Sequence, residues 1–114
     1  MRMDIDLLDR SAESAAELLS ALANKNRLMI LCNLLNGEMA VHPLAEAVGM
    51  SQSALSQQLA KLRLQRLVAT RRAGREIYYR VASPQVSEVL ATLYRLYCDP
   101  AQETETRDEI AAAV

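Results

Sequence analysis

The sequence predicts a mainly α-helical fold with one two-stranded β-hairpin, in which five helices and two strands follow the order ααααββα. Three observations support this fold class. Apolar residues recur at steps of three and four along the longer predicted helices, residues 68–81 alternate around AGR, and glycine or proline marks several of the boundaries between elements. A chain of 114 residues has room for a single core, so we expect one domain over residues 1–98. The remaining residues, 99–114, read as an acidic tail that we expect to be mobile.

Leucine and alanine recur at helical spacing in the first two predicted helices. Helix one is predicted over residues 5–22. Asn24 is the expected N-cap of helix two, and Gly37 suits a left-handed position at its end. The predicted core stripe of helix two consists of Leu28, Leu31 and Leu35, with Cys32 beside the first and last of them.

Two short helices follow on either side of a turn at Gly49. Pro43 opens the third helix, PLAEAV, because its missing N–H is harmless in a first turn. Ser51 is the expected N-cap of the fourth helix. The inward stripe of that helix is predicted to be Leu55, Leu59 and Leu62.

The pattern changes after Leu67. VATRR and EIYYRV are rich in β-branched and tyrosine residues, which favours two strands joined by a turn at Gly74. Ser83 and Pro84 then begin a fifth helix that ends near Cys98. The apolar face of this helix is predicted to consist of Val86, Val89, Leu90, Leu93, Leu96 and Tyr97.

The charges are unevenly placed along a chain whose net charge is only −1. Residues 61–80 carry seven bases and one acid, a net charge of +6, and the remaining residues carry −7. Such a concentration of positive charge favours a polyanionic partner, although a solvated basic face without a ligand is the alternative on charge alone.

Two short helices followed at once by a basic hairpin are the order of a winged helix-turn-helix module, which binds double-stranded DNA. The fourth helix presents neutral hydrogen-bonding side chains opposite its leucine stripe, as a base-reading helix does. The alternative is that these residues are tolerated surface positions. The side chains predicted to contact DNA at the helix start are Ser51, Gln52, Ser53, Ser56 and Gln57, the last three by reading bases. Those predicted to meet mostly phosphates are Lys61, Arg63, Arg71, Arg72 and Arg75.

The segments LSQQLAKLR and RLVATRRAGREIYYRV resemble the recognition helix and the wing of the ArsR family of bacterial winged-helix repressors. The resemblance covers most of residues 15–98. It implies a homodimer in which the first and last helices pack across the two-fold axis. A two-fold dimer would place its recognition helices about one DNA turn apart and so favour an operator that is an inverted repeat.

Many members of this family sense metals, but this chain departs from their ligand patterns. The third-helix region MAVHPLAEAV contains no thiol, and the last helix offers Glu88 without histidine, too few groups for a tetrahedral zinc site. We therefore expect neither a metal nor a cofactor. His42 is read as a residue at the start of the third helix, with a ligand or titrating role as the alternative.

Cys32 and Cys98, 66 positions apart, match the sulfide-responsive, persulfide-sensing repressors of the same family, and the suffix LYRLYC strengthens the match. The resemblance implies a dithiol that senses reactive sulfur species or oxidants. Three alternatives stay open: inert buried thiols in a repressor that answers to a metal or another ligand, a cysteine-dependent enzyme, and an interaction module without DNA. The lack of a long apolar run and of a signal-like start predicts a cytoplasmic protein without membrane contact.

Overall fold

The computed structural model describes residues 1–98, which form five α-helices and a small antiparallel sheet. The elements in chain order are α1 Ile5–Leu22, α2 Lys25–Leu35, β1 Met39–Ala40, α3 Val41–Val48, α4 Gln52–Leu64, β2 Val68–Ala73, β3 Glu76–Val81 and α5 Pro84–Cys98. The predicted order of five helices and a β-hairpin, ααααββα, is confirmed, and the two-residue strand β1 is an addition to it. The tail predicted over residues 99–114 lies outside the described residues.

Three helices begin at the side-chain caps that the sequence indicates. The Asn24 carboxamide accepts a hydrogen bond from the Arg27 amide at 3.2 Å, and the Ser83 hydroxyl accepts one from the Val86 amide at 3.2 Å. The Ser51 hydroxyl does the same at the start of α4. Each cap satisfies an N–H that has no acceptor within its own helix. Pro43 is the third residue of α3, so the helix begins two residues earlier than predicted, with the proline still in its first turn.

The junction between α1 and α2 is held by one guanidinium. Arg27 donates from Nε to the Ala21 carbonyl at 2.7 Å and from Nη2 to the Ser20 carbonyl at 3.1 Å. A cation at these last carbonyls of α1 also complements the negative end of the helix dipole. The contact fixes the direction in which α2 leaves α1.

The sheet has the strand order β1-β3-β2, and both pairings are antiparallel. Val68 pairs with Val81 at the base of the hairpin and Ala73 with Glu76 at its tip, so two residues make the turn. Gly74, the first of them, has φ +63°, as the left-handed conformation of a tight hairpin turn requires. We call residues 68–81 the wing.

By backbone contacts the described chain divides into two compact units, Met1–Ala82 and a second that begins at Ser83. The buried side chains of the first unit come from all four of its helices, from β1 and from the base of the wing. They are Ala21, Leu22, Ile30, Leu31, Leu34, Ala40, Leu44, Ala45, Leu55, Leu59, Leu62, Leu67 and Val68. In the second unit the buried side chains of α5 are Val86 and Leu90.

The predicted core stripe of α2 is partly wrong. Leu31 is fully buried, but Leu35 is 39% exposed, and Ile30 and Leu34 are buried instead. Residues 30, 31 and 34 share one face at 100° per residue, whereas residues 28, 32 and 35 share another. Two apolar faces compete for the core on this helix, and periodicity alone does not decide between them. Cys32 is half-buried and lies on the second of these faces, which is not the one packed in the core.

Large apolar side chains are exposed along both terminal helices. In α1 they are Ile5, Leu7, Leu8 and Leu19, and in α5 they are Tyr94, Leu96 and Tyr97. Apolar residues exposed in a series along one element are typical of a surface that a partner covers. None of the helices in residues 1–98 is long and apolar enough to cross a membrane.

Candidate DNA-binding interface

Helix α4 is packed by one face and presents the other to solvent. Leu55, Leu59 and Leu62 are fully buried, as the sequence predicts. All of the side chains predicted to contact DNA from this helix and its cap are exposed: Ser51, Gln52, Ser53, Ser56, Gln57, Lys61 and Arg63. We call α4 the recognition helix. Its first two turns offer neutral donors and acceptors and its last turn offers positive charge, which is the division that base reading and phosphate neutralisation require.

The turn between α3 and α4 sets the angle at which the recognition helix leaves the core. Gly49 adopts φ +68° and ψ +35°, a left-handed conformation that costs glycine nothing. The Met50 amide donates to the Ala45 carbonyl at 3.1 Å and closes the end of α3. The Ser51 hydroxyl then accepts from the Ala54 amide at 3.1 Å. Ser51 therefore has a structural task as an N-cap, beside any contact that it makes with DNA.

The start of α4 is also tied to α3 through side chains. Gln52 Nε2 lies 2.8 Å from His42 Nδ1, and His42 Nε2 lies 3.2 Å from a Glu46 carboxylate oxygen. Both His42 and Glu46 are exposed. Sequence reasoning missed this chain of contacts, since nothing in the order of residues shows that positions 42 and 52 meet.

The wing carries three of the arginines predicted to meet phosphates, and the structure places them in two different surroundings. Arg72 and Arg75 are exposed, the first in β2 and the second in the turn. Arg71 points to the other face of the strand, because successive side chains alternate. Its guanidinium lies 4.7 Å from the ring centre of Tyr78, its cross-strand partner.

Arg71 is bound by a carboxylate that sequence reasoning did not single out. Arg71 Nε donates to both Glu38 oxygens at 2.8 Å, and Nη2 also contacts Oε1. The hydrogen bond from Arg71 is the main cause that holds the pKa of Glu38 below its ordinary value, and Glu38 in turn raises the pKa of Arg71. This bidentate ion pair joins the segment before β1 to the wing. Arg71 thus has an internal partner, whereas its neighbour Arg72 is on the opposite face.

The two cysteines are both thiols in different parts of the structure. Cys32 is half-buried on α2 in the first unit, and Cys98 is exposed as the last residue of α5 in the second. Within residues 1–98, no group of three or more His, Cys, Asp or Glu side chains is arranged to hold a metal ion.

A recognition helix behind a short helix and a glycine turn, with an arginine-bearing wing beside it, defines a winged helix-turn-helix DNA-binding protein. Residues 24–70 match the family described as bacterial regulatory protein, arsR family. The nodulation protein NolR of Rhizobium meliloti is 51% identical over 96 residues, which span 84% of this chain and 79% of NolR. The chain therefore belongs to the ArsR family of DNA-binding transcriptional regulators.

Solved structures agree with this assignment. The crystal structure of the transcriptional repressor BigR from Xylella fastidiosa superposes with a TM-score of 0.79 at 35% identity, covering 84% of this chain and 98% of that one. The homodimeric winged helix-turn-helix domain of Mb0332 from Mycobacterium bovis superposes with a TM-score of 0.69 at 34% identity, covering 88% of this chain and 93% of that one.

Proposed function

We propose that the chain is a cytoplasmic, homodimeric transcriptional repressor whose operator is an inverted repeat and whose inducer is a reactive sulfur species acting on Cys32 and Cys98. The observation that carries the DNA-binding part is the exposed polar face of α4, in which uncharged hydrogen-bonding groups precede Lys61 and Arg63. Repression is supported by the relative BigR, which is described as a transcriptional repressor.

Dimer formation is supported by the exposed apolar side chains of α1 and α5. A domain of about 100 residues buries only part of its apolar surface by itself, so a second subunit that covers these faces is stabilising. The relative Mb0332 is described as homodimeric. A two-fold dimer places its two recognition helices about 34 Å apart, one turn of B-DNA, and so favours an inverted repeat.

The proposed switch is a sulfur bridge between Cys32 and Cys98 of one protomer. One thiolate attacks the outer sulfur of a low-molecular-weight persulfide, which gives a cysteine persulfide and releases the thiol. The second thiolate then attacks the protein-bound sulfur and releases hydrogen sulfide, leaving a disulfide. Two cysteine thiols are oxidised and the persulfide is reduced to a thiol and a sulfide, so the electrons balance. Further persulfide molecules can insert sulfur and give a longer bridge.

Access favours Cys98 as the first thiol to react, because it is exposed whereas Cys32 is half-buried. A bridge changes DNA affinity only through a difference between two native arrangements. Joining the end of α5 to the middle of α2 restricts how the second unit is placed in the dimer, and thereby the spacing of the two recognition helices. A coupling of about 1–3 kcal/mol, or roughly 5- to 150-fold in affinity, suffices to empty an operator.

DNA recognition is tested by selecting duplexes from a randomised library with the reduced protein and measuring their affinity. We expect an enriched inverted repeat, and a reporter placed behind it should be transcribed less when the chain is expressed. No enrichment contradicts the DNA-binding proposal, and a rise in transcription contradicts repression.

The switch is tested with the same duplex before and after treatment with glutathione persulfide. Wild type should lose affinity, and mass spectrometry should show one intramolecular bridge per chain, by loss of two hydrogens either alone or together with added sulfur. Cys32→Ser and Cys98→Ser should each keep their affinity for DNA. If either variant releases DNA as fully as wild type, the dithiol is not the switch, and a repressor that answers to a metal or another ligand with inert cysteines is favoured. Catalytic turnover of persulfide instead of one reaction per chain favours an enzyme.

A further inference from the structure

His42 contacts one side chain on each of two helices through its two ring nitrogens. Its Nδ1 lies 2.8 Å from Nε2 of Gln52, the first residue of the recognition helix, and its Nε2 lies 3.2 Å from Glu46 one turn along α3. A carboxylate only accepts hydrogen bonds, so the imidazole proton is on Nε2 when His42 is neutral. The lone pair of Nδ1 is then left to accept from the Gln52 amide.

This arrangement fixes which atom of the Gln52 carboxamide faces α3. The terminal NH₂ donates to His42, so one N–H and the carbonyl Oε1 are left to contact another molecule. A glutamine that reads adenine uses one N–H and its carbonyl oxygen. An amide that is already oriented loses less side-chain entropy when it binds.

We infer that His42 is a positioning residue for operator recognition, which orients the carboxamide of Gln52 and is itself oriented by Glu46. The inference rests on the proposed DNA binding and extends it to a residue outside the set predicted to contact DNA. It gives α3 a direct influence on base preference at the start of the recognition helix.

The contacts of His42 with Gln52 and Glu46 add little to the stability of the folded state. The effect of His42 on DNA recognition can therefore be measured separately from its effect on folding. The His42 and Glu46 side chains are 67% and 73% exposed, and exposed polar pairs compete with water. Their value arises where DNA covers the helix start and excludes water. Substitutions that remove the His42 acceptor facing Gln52 should therefore leave thermal unfolding nearly unchanged and weaken DNA binding.

Matched variants distinguish the two nitrogen atoms of His42. His42→Asn retains an acceptor near the position of Nδ1, His42→Gln reaches the position of Nε2 and the contact with Glu46, and His42→Ala removes both. Each is made in the wild-type and in the Gln52→Ala background. The probe is the duplex enriched by reduced wild-type protein, and all variants are measured in the same buffer.

We expect His42→Ala and His42→Gln to weaken binding about 2- to 10-fold, the value of one hydrogen bond, and His42→Asn to bind nearly as wild type. In the Gln52→Ala background all three should have no further effect. Equal losses in both backgrounds, or no loss in wild type, overturn the inference while leaving DNA binding intact. A wild-type protein that enriches no duplex overturns the proposed function and the inference together.

Discussion

Gln57 and Arg72 are both exposed, but they offer DNA different chemistry. The Gln57 carboxamide has the groups to pair with one base edge, whereas a guanidinium such as that of Arg72 can neutralise a phosphate at any sequence. We expect Gln57→Ala to cost about 1–3 kcal/mol on the selected duplex and to relax its sequence preference. Arg72→Ala should weaken binding to all DNA and reduce the salt slope by about one. Affinities for the selected and the scrambled duplex, measured across a series of salt concentrations, check both expectations. If Gln57→Ala changes only the salt dependence of binding, Gln57 does not read a base.

Arg71 is expected to behave unlike its neighbour. Its guanidinium is bound by both oxygens of Glu38 and lies against Tyr78. A cation that already has a counter-charge releases fewer phosphate counterions. Arg71→Ala should therefore change the salt slope by well under one, while Glu38→Gln should strengthen binding to scrambled DNA by freeing the cation. Equal salt slopes for Arg71→Ala and Arg72→Ala would show that Arg71 leaves Glu38 to meet a phosphate.

At the scale of elements, the start of the recognition helix depends on one hydroxyl. Ser51 accepts a hydrogen bond from the Ala54 amide and caps the helix. We expect Ser51→Ala to lower the free energy of unfolding by about 1 kcal/mol, and Ser51→Asp to retain most of the stability because its carboxylate caps as well. Denaturant unfolding of the three proteins checks this, and equal stability of Ser51→Ala and wild type would contradict the capping role.

The attachment of the wing to the segment before β1 should depend on pH. Because Arg71 lowers the pKa of Glu38 in the folded state, the unfolded chain binds more protons between the lowered pKa and the ordinary glutamate value of about 4.3. The stabilisation that the Glu38–Arg71 ion pair provides is complete when the pH is above the ordinary glutamate pKa. It is lost as the pH falls through the lowered pKa of Glu38. Glu38→Gln should remove this part of the pH dependence of thermal unfolding, whereas Glu13→Gln on α1 should keep it. Identical pH profiles of thermal unfolding for wild type and Glu38→Gln would contradict a stabilising role of the ion pair.

The elements that the sequence predicts well are those whose signals are local. Asn24 and Ser51 cap helices because their side chains reach amides three residues ahead, and Gly74 turns the hairpin by its own conformation. The contacts that it does not predict join distant residues. Glu38 and Arg71 are 33 positions apart, and strand β1 exists only because Met39 and Ala40 pair with β3. Such pairings depend on the folded arrangement, which a single sequence does not display.

At the scale of the whole molecule, the exposed apolar side chains of the terminal helices predict a stable dimer. Placing a charge on such a face is unfavourable if a partner buries it. We expect wild type to sediment as a dimer at about 10 µM, and Leu8→Glu or Leu19→Glu to shift it toward monomer. Leu64→Glu, which changes a highly exposed leucine of α4, is the matched control and should remain dimeric. A wild-type monomer at that concentration contradicts the proposed assembly.

The apolar surface of α1 also has a consequence for how cells use the protein. If two chains must join before either recognition helix finds its half-site, operator occupancy rises with the square of chain concentration below the dimer dissociation constant and in proportion above it. A gene controlled by such a protein therefore stays transcribed until the number of copies per cell passes a threshold. After division or dilution, the same relation makes derepression abrupt. If the proposed dimer forms through α1, the strength of packing along that helix sets how many molecules a bacterium must make to keep a promoter silent.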